Sequence, residues 1–193
     1  MFARNPSTGA LTQAADGSGC VVSSPLAGCT TGAQPGGADA VTVSPDDEDV
    51  YVTSLFSKSV TSFTRSTCSG LLTQKSGPSG CLVFLRSTGC SFARALNAPE
   101  GLGVSPDGAN LYAASFAPGA IAVLDRNTRS GVVAQKPLRP GCVGSVPDCS
   151  RAQALSGASS LAISPDGGYL YAAASKSNAI AIFRWVTRPH GSK

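Results

Sequence analysis

The string Ser-Pro-Asp stands at 44–46, again at 105–107 and again at 164–166, so the chain repeats with steps of 105 − 44 = 61 and 164 − 105 = 59 residues. A long fixed period restricts a chain to architectures in which one supersecondary unit packs against copies of itself. Tyr51, Tyr112 and Tyr171 keep the same two steps, and Gly19-Cys20, Gly80-Cys81 and Gly141-Cys142 follow one another at 61. The shorter second step has a visible origin. Cys20 and Cys29, like Cys81 and Cys90, are nine apart, whereas Cys142 and Cys149 are seven apart, so the third unit has lost two residues between its cysteines.

Each unit offers four short strands bounded by turn residues. Strand a covers 41–44, 102–105 and 161–164, and strand b covers 50–53, 111–114 and 170–173 with Tyr in its second position. The Ser-Pro-Asp-Gly between them in the second and third units is turn chemistry: Pro presets φ, Asp bonds its own backbone, and Gly accepts positive φ. Strand b is apolar on both faces, as expected of a strand covered on both sides. Strand c covers 60–63, 121–124 and 180–183, and a short strand d covers 10–13, 71–74 and 132–135 after a polar turn. Four antiparallel strands per copy, with no helical periodicity between them, predict an all-β chain of the β-propeller type with about three four-stranded blades. The expected organisation is a single partial propeller over 1–193, with repeats of about 2–62, 63–123 and 124–183 and a tail at 184–193.

The residues also carry a resemblance. Tyr51-Val52-Thr53-Ser54, preceded by Ser44-Pro45-Asp46 and followed by a Val/Phe strand, resembles the Tyr-Val-Thr-Asn type repeat of lactonase-like and bacterial surface propellers. That resemblance spans almost the whole chain and implies the blade fold. It further implies rings that are typically seven-bladed, some with lactonase activity and many with no assigned activity, so it speaks to fold more than to function. There is no Gly-His and Trp-Asp pair of the WD40 kind, since Trp185 follows Arg184.

Three blades do not close a ring that needs about four to eight. Phe2-Ala3-Arg4 aligns with Phe63-Thr64-Arg65 as the tail of a strand c, and the last unit has strands a, b and c without d. The two ends are therefore complementary. Two copies would give a six-bladed homodimer, and the other expectation is a fragment of a larger propeller. The isolated chain is expected to aggregate through its uncovered edges.

The formal net charge of +4 is dispersed as isolated Arg and Lys with no basic stripe, which predicts no nucleic-acid partner. No apolar run is long enough to span a bilayer. Seven cysteines, six of them in a regular pattern, suit an oxidising, extracellular or cell-surface setting. The opening residues lack the charged and apolar segments of an export signal, so the expectation is that the gene product begins upstream or that this is an excised piece.

The pairs Cys20–Cys29, Cys81–Cys90 and Cys142–Cys149 are close enough in sequence to predict three local disulfides. Metal ligation is the rival reading, but the spacing is not Cys-x2-Cys and no histidine accompanies it. Cys68 aligns with Ser7 and Arg129 and is expected as a free turn thiol. Strand a should line the channel, which places Asp39, Glu100 and Ser159 near its mouth, where propellers commonly bind ligands. Asp39 and Glu100 are thus the candidate catalytic pair, as cation ligands or as a shared-proton acid and base, against the bland reading of solvated loop acids. The run Asp46-Asp47-Glu48-Asp49 lacks calcium-loop spacing and is expected to be a solvated turn. A Ser-His-Asp site would have to use His190, the single histidine, in the tail. No nucleophile elbow, phosphate loop or dinucleotide fingerprint is present, so neither a cofactor nor a metal is expected. The favoured expectation is a propeller module that binds a protein or small-molecule ligand. The alternatives are a lactonase-like hydrolase whose site needs additional blades, and a purely structural repeat.

Overall fold

The computed structural model describes residues 2–13 and 17–185, and among them it contains strands and three short 3-10 turns but no α-helix. A hairpin of β1 (Phe2–Arg4) and β2 (Leu11–Gln13) comes first, followed by β3 (Gly17–Val22) and β4 (Cys29–Thr31), which pair in parallel. The first full blade is β5 (Ala38–Val43), β6 (Asp49–Ser54), β7 (Ser59–Arg65) and β8 (Leu72–Gln74), each antiparallel to the one before. After it run β9 (Cys81–Val83) and β10 (Ser91–Phe92). The second blade is β11 (Pro99–Val104), β12 (Asn110–Ser115), β13 (Ala120–Arg126) and β14 (Val133–Gln135), trailed by β15 (Cys142–Gly144). The third comprises β16 (Ala158–Ile163), β17 (Tyr169–Ala174) and β18 (Ala179–Arg184).

The a-to-b reversals form because each serine closes its own turn. The Ser44 hydroxyl donates to the Asp46 carboxylate and accepts the Asp49 N–H at 3.0 Å. Ser105 and Ser164 repeat this with Asp107 and Asn110, and with Asp166 and Tyr169. These contacts, with the following backbone N–H groups, hold the Asp107 and Asp166 carboxyls below their ordinary range.

The cysteine segments are more than loops. β9 pairs antiparallel with β7 on the edge that β8 also uses, placing Cys81 opposite Thr61, and β15 does the same with β13, placing Cys142 opposite Ala122. Strand c is therefore covered along its length by two short strands in succession, where the sequence predicts one. Disulfides join Cys20 to Cys29, Cys81 to Cys90 and Cys142 to Cys149, and Cys68 is free and exposed.

The core lies between blades. Tyr51, Val60, Leu82, Leu111, Leu124 and Val133 form one buried cluster between the first and second blades. Ile121, Leu155, Leu170, Ala172 and Ala181 belong to the cluster between the second and third. Burying such side chains contributes about 1.5–3 kcal/mol each for the large ones. Small residues let the sheets approach at the inner strands: a Cβ on Gly101 would stand 3.0 Å from the Ser159 carbonyl oxygen. Sheets packed face to face, with their first strands β5, β11 and β16 adjacent in series, are blades of a propeller.

Candidate functional site at the inner strands

Asp39, Glu100 and Ser159 are the second residues of β5, β11 and β16, inside strand a and not ahead of it as the sequence suggests. In all three blades the pairing with strand b slips by one residue here. Pro99 faces Ser115 and Gly101 faces Ala114, leaving Glu100 as the extra residue; Ser159 is extra between Ala158 and Ser160. The first blade has the same irregularity between Ala38 and Val41. A β-bulge re-aims the side chain it carries, and bulges concentrate beside functional sites. The period therefore repeats a side-chain aim as well as a strand.

Asp39 is exposed and Glu100 half-buried. Burial first, and the neighbouring Asp39 charge second, push the Glu100 carboxyl above its ordinary range, while Lys176 pulls it back. Lys176, from the b-to-c turn of the third blade, lies with its ammonium 4.3 Å from the centre of the Phe116 ring. Two acids at equivalent places, one holding its proton to higher pH and a lysine charge within reach, form a set able to pass protons and to meet a negative group. Among the described residues no cluster of three or more His, Cys, Asp or Glu is placed to hold a metal ion. His190 lies outside the described residues.

The larger cavities are elsewhere. One of about 610 Å3 is lined by the third cysteine segment, including Arg139, Asp148 and Arg151. Another of about 510 Å3 opens between the second and third blades, lined by Tyr112, Ile121, Val143, Leu170, Phe183 and Trp185 among others. Neither includes Asp39, Glu100 or Ser159.

The acidic run 46–49 is the solvated turn that its sequence suggests at Asp47 and Glu48, which are exposed, but not at its two ends. Asp49 is buried and Asp46 is partly covered, because both accept from the Arg126 guanidinium of the next blade at 2.6 Å. Arg126 also donates through Nε to the Tyr51 hydroxyl at 2.8 Å and through Nη1 to the Gly108 carbonyl at 3.2 Å. The Tyr51 hydroxyl in turn donates to the Gly131 carbonyl at 2.7 Å. Lys75 completes the network, 2.8 Å from the other Asp49 oxygen and 2.7 Å from the Ser130 carbonyl. Burial alone would lower the Arg126 pKa, but bonds to Asp46, Asp49 and Tyr51 outweigh it and hold the guanidinium charged. Buried ions persist when their lone pairs and protons find partners, and four of the five Arg126 N–H groups do so here. At the next junction Trp185 occupies the position of Arg126 (185 − 126 = 59) and packs edge-on against Tyr112 at 5.3 Å.

No protein-family model matches the chain, and no curated protein matches it by sequence. Solved structures match its fold. A Bacteroides uniformis protein assigned provisionally as a 6-phosphogluconolactonase superposes with a TM-score of 0.58 at 22% identity, covering 95% of this chain and 43% of its own. The periplasmic gluconolactonase of Pseudomonas aeruginosa gives 0.57 at 18%, covering 95% and 45%. The fold is that of a β-propeller. A Lactobacillus plantarum protein gives 0.54 at 25%, covering 77% of this chain and 38% of its own. The chain thus spans less than half the length of these proteins, and at such identities the likeness is one of fold.

Proposed function

We propose that the chain supplies the inner-strand site of a lactonase-like propeller hydrolase, with Glu100 and Asp39 as its acid and base. The observation that carries this reading is a half-buried carboxyl on a bulge, raised by burial and by its acidic neighbour, with Lys176 in range. The lactonase-type structural neighbours favour the same substrate class, a sugar lactone such as gluconolactone or its 6-phosphate. Asp39, the more exposed acid, takes a proton from water as the water oxygen bonds to the lactone carbonyl carbon. Glu100 gives its proton to the ring oxygen as the acyl C–O bond breaks, and Lys176 faces the developing oxyanion or a substrate phosphate. The product is the open hydroxy acid, and the proton held by Asp39 returns to Glu100 through solvent. The disulfides point to an oxidising compartment, and we place the protein outside the cytoplasm.

A second reading, a module that binds a protein or small ligand, is favoured by the exposed stacked pair Tyr169 and Tyr171, whose ring centres are 6.2 Å apart. One assay separates the two. Opening of glucono-δ-lactone is followed by base uptake at constant pH above the spontaneous rate. Catalysis that drops by about a hundredfold in Glu100→Gln and in Asp39→Asn supports the hydrolase, since one acid or base contributes on that order. A rate equal to the spontaneous one, or untouched by both substitutions, removes it and leaves the binding module.

A further inference from the structure

The three copies of the interblade contact differ in how far they are completed. Tyr51 is 0% exposed under Arg126, Tyr112 is 7% exposed under Trp185, and Tyr171 is 36% exposed on the outer face of the third blade. Asp166 stands there as Asp46 does at the first junction (166 − 46 = 61 + 59 = 120), and Ile180 and Ile182 are exposed on the adjoining strand at 69% and 63%. The opposite face of the molecule carries the matching half. Arg65 is the counterpart of Arg126 (126 − 65 = 61), and it keeps the contact made within its own blade, donating through Nη1 to the Asp47 carbonyl at 2.9 Å. Among the described residues its other donors meet no acceptor, whereas those of Arg126 hold Tyr51, Asp46 and Asp49.

The edges show a second, independent match. Gln74 and Gln135, at the ends of β8 and β14, each clamp a passing loop. The side-chain oxygen accepts the N–H of Ala33 or Arg94, and the amide donates to that same residue's carbonyl. It also donates to the carbonyl of Gly80 or Gly141. Gln13, at the end of β2, makes among the described residues just the last kind of bond, to the Gly19 carbonyl. The residue placed like Ala33 and Arg94, four beyond the second cysteine (33 − 29 = 94 − 90 = 153 − 149 = 4), is Gln153, whose backbone has no such partner among the described residues. β2 reads Leu-Thr-Gln, the same tripeptide as β8, and its Leu11 is 65% exposed. The counterpart of Leu11 in the second blade is Val133 (133 − 11 = 122 = 61 + 61), which is buried in the core between blades one and two. Between blades two and three that place is the apolar cavity of about 510 Å3, beside β18, the edge strand of its sheet.

We propose that the third-blade face is the docking site for the first-blade face of a second copy of this chain. Arg65 of that copy seats on Tyr171 and Asp166, its β2 adds to β18, its Leu11 fills the cavity and its Gln13 clamps Gln153. The charge of Arg65 meets the Asp166 carboxylate, and the guanidinium plane meets the tyrosine pair. β2 exchanges β1 for the longer β18, gaining the seat that β8 and β14 have within their own sheets. Using each face once per copy, the contact closes as a twofold dimer of six blades. It is independent of any hydrolase activity.

Two measurements test this. Native mass spectrometry should give twice the chain mass, and Arg65→Ala and, on the other face, Asp166→Asn should each weaken the dimer at least about tenfold with unchanged far-ultraviolet circular dichroism. The repeat puts Thr12 opposite Arg184, as Thr73 lies opposite Thr64 and Ala134 opposite Asp125. With Cys68 replaced by serine in both, because it is free and exposed, mixing the variants Thr12→Cys and Arg184→Cys under oxidising conditions should therefore yield a covalent pair that neither yields alone. A monomer in native mass spectra overturns the proposal. So does a ladder of growing oligomers, a dimer indifferent to both surface substitutions, or the absence of the mixed cross-link, each of which would leave the seat to further blades of a longer chain or to another protein.

Discussion

Gly131 and Gly9 occupy the same turn two repeats apart, and they separate the cost of a backbone conformation from the cost of breaking the interblade network. Both have left-handed φ, +65° at Gly131 and +74° at Gly9. A Cβ at Gly9 would meet nothing within 4 Å, whereas at Gly131 it would stand 1.9 Å from an Asp49 carboxylate oxygen. Alanine at either position pays the left-handed penalty of roughly 1–2 kcal/mol. At Gly131 it must also displace the Asp49 carboxylate from Arg126 and Lys75. Uncoupling a buried ion network costs about 3–5 kcal/mol when a charge is left stranded. Here Asp46, which is 34% exposed, keeps Arg126 partly matched, so the lower end, about 3 kcal/mol beyond the backbone term, is expected. For a chain of this size that corresponds to roughly 6–12 °C in Tm. Thermal unfolding followed by circular dichroism should therefore place Gly131→Ala well below Gly9→Ala. Equal melting temperatures for the two variants would refute the claim that this network joins the blades.

Because burial and Asp39 raise the Glu100 pKa above its usual 4.5, the folded state holds that proton more tightly than the unfolded chain does. Its favourable share of stability is complete below the unfolded pKa and disappears as pH rises through the folded one. Glu100→Gln should thus raise Tm at about pH 7 and leave it unchanged at about pH 3; a shift of the same size at both would show that the carboxyl is not perturbed. Access should order the reduction of the disulfides. Cys142 and Cys149 are both buried, at 1% and 5%, whereas Cys20 and Cys29 are partly exposed. Under graded reductant, alkylation and peptide mass mapping should find Cys20–Cys29 open first and Cys142–Cys149 last, and the reverse order would contradict the packing of the third segment.

The blade strands were legible because their signals are local. Ser-Pro-Asp turns and a Tyr-centred apolar strand mark a, b and c within one 23-residue stretch (41–63 in the first unit), and the period confirms their register. The partners of the interblade network are distant: Arg126 meets Tyr51, Asp49 and Asp46 across 75, 77 and 80 residues. Read alone, the acidic run is indistinguishable from solvated charge. A signal did exist in the recurrence of Arg65 at Arg126, and in Gln13, Gln74 and Gln135 at equal steps. The edge strands at Cys81 and Cys142 escaped because three residues are too few to show alternation, and their pairing is set by what strand c leaves uncovered. At the inner strands, sequence alignment located Asp39, Glu100 and Ser159, but the bulge that aims them follows from a one-residue mismatch between strands a and b that no single strand displays.

A crystal structure of the purified chain tests the central claim most directly. It should show β5, β11 and β16 side by side about a common axis, with Tyr51 beneath the Arg126 guanidinium and Tyr112 against Trp185. Sheets stacked in a line, or Arg126 pointing to solvent with Asp49 exposed, would contradict the account.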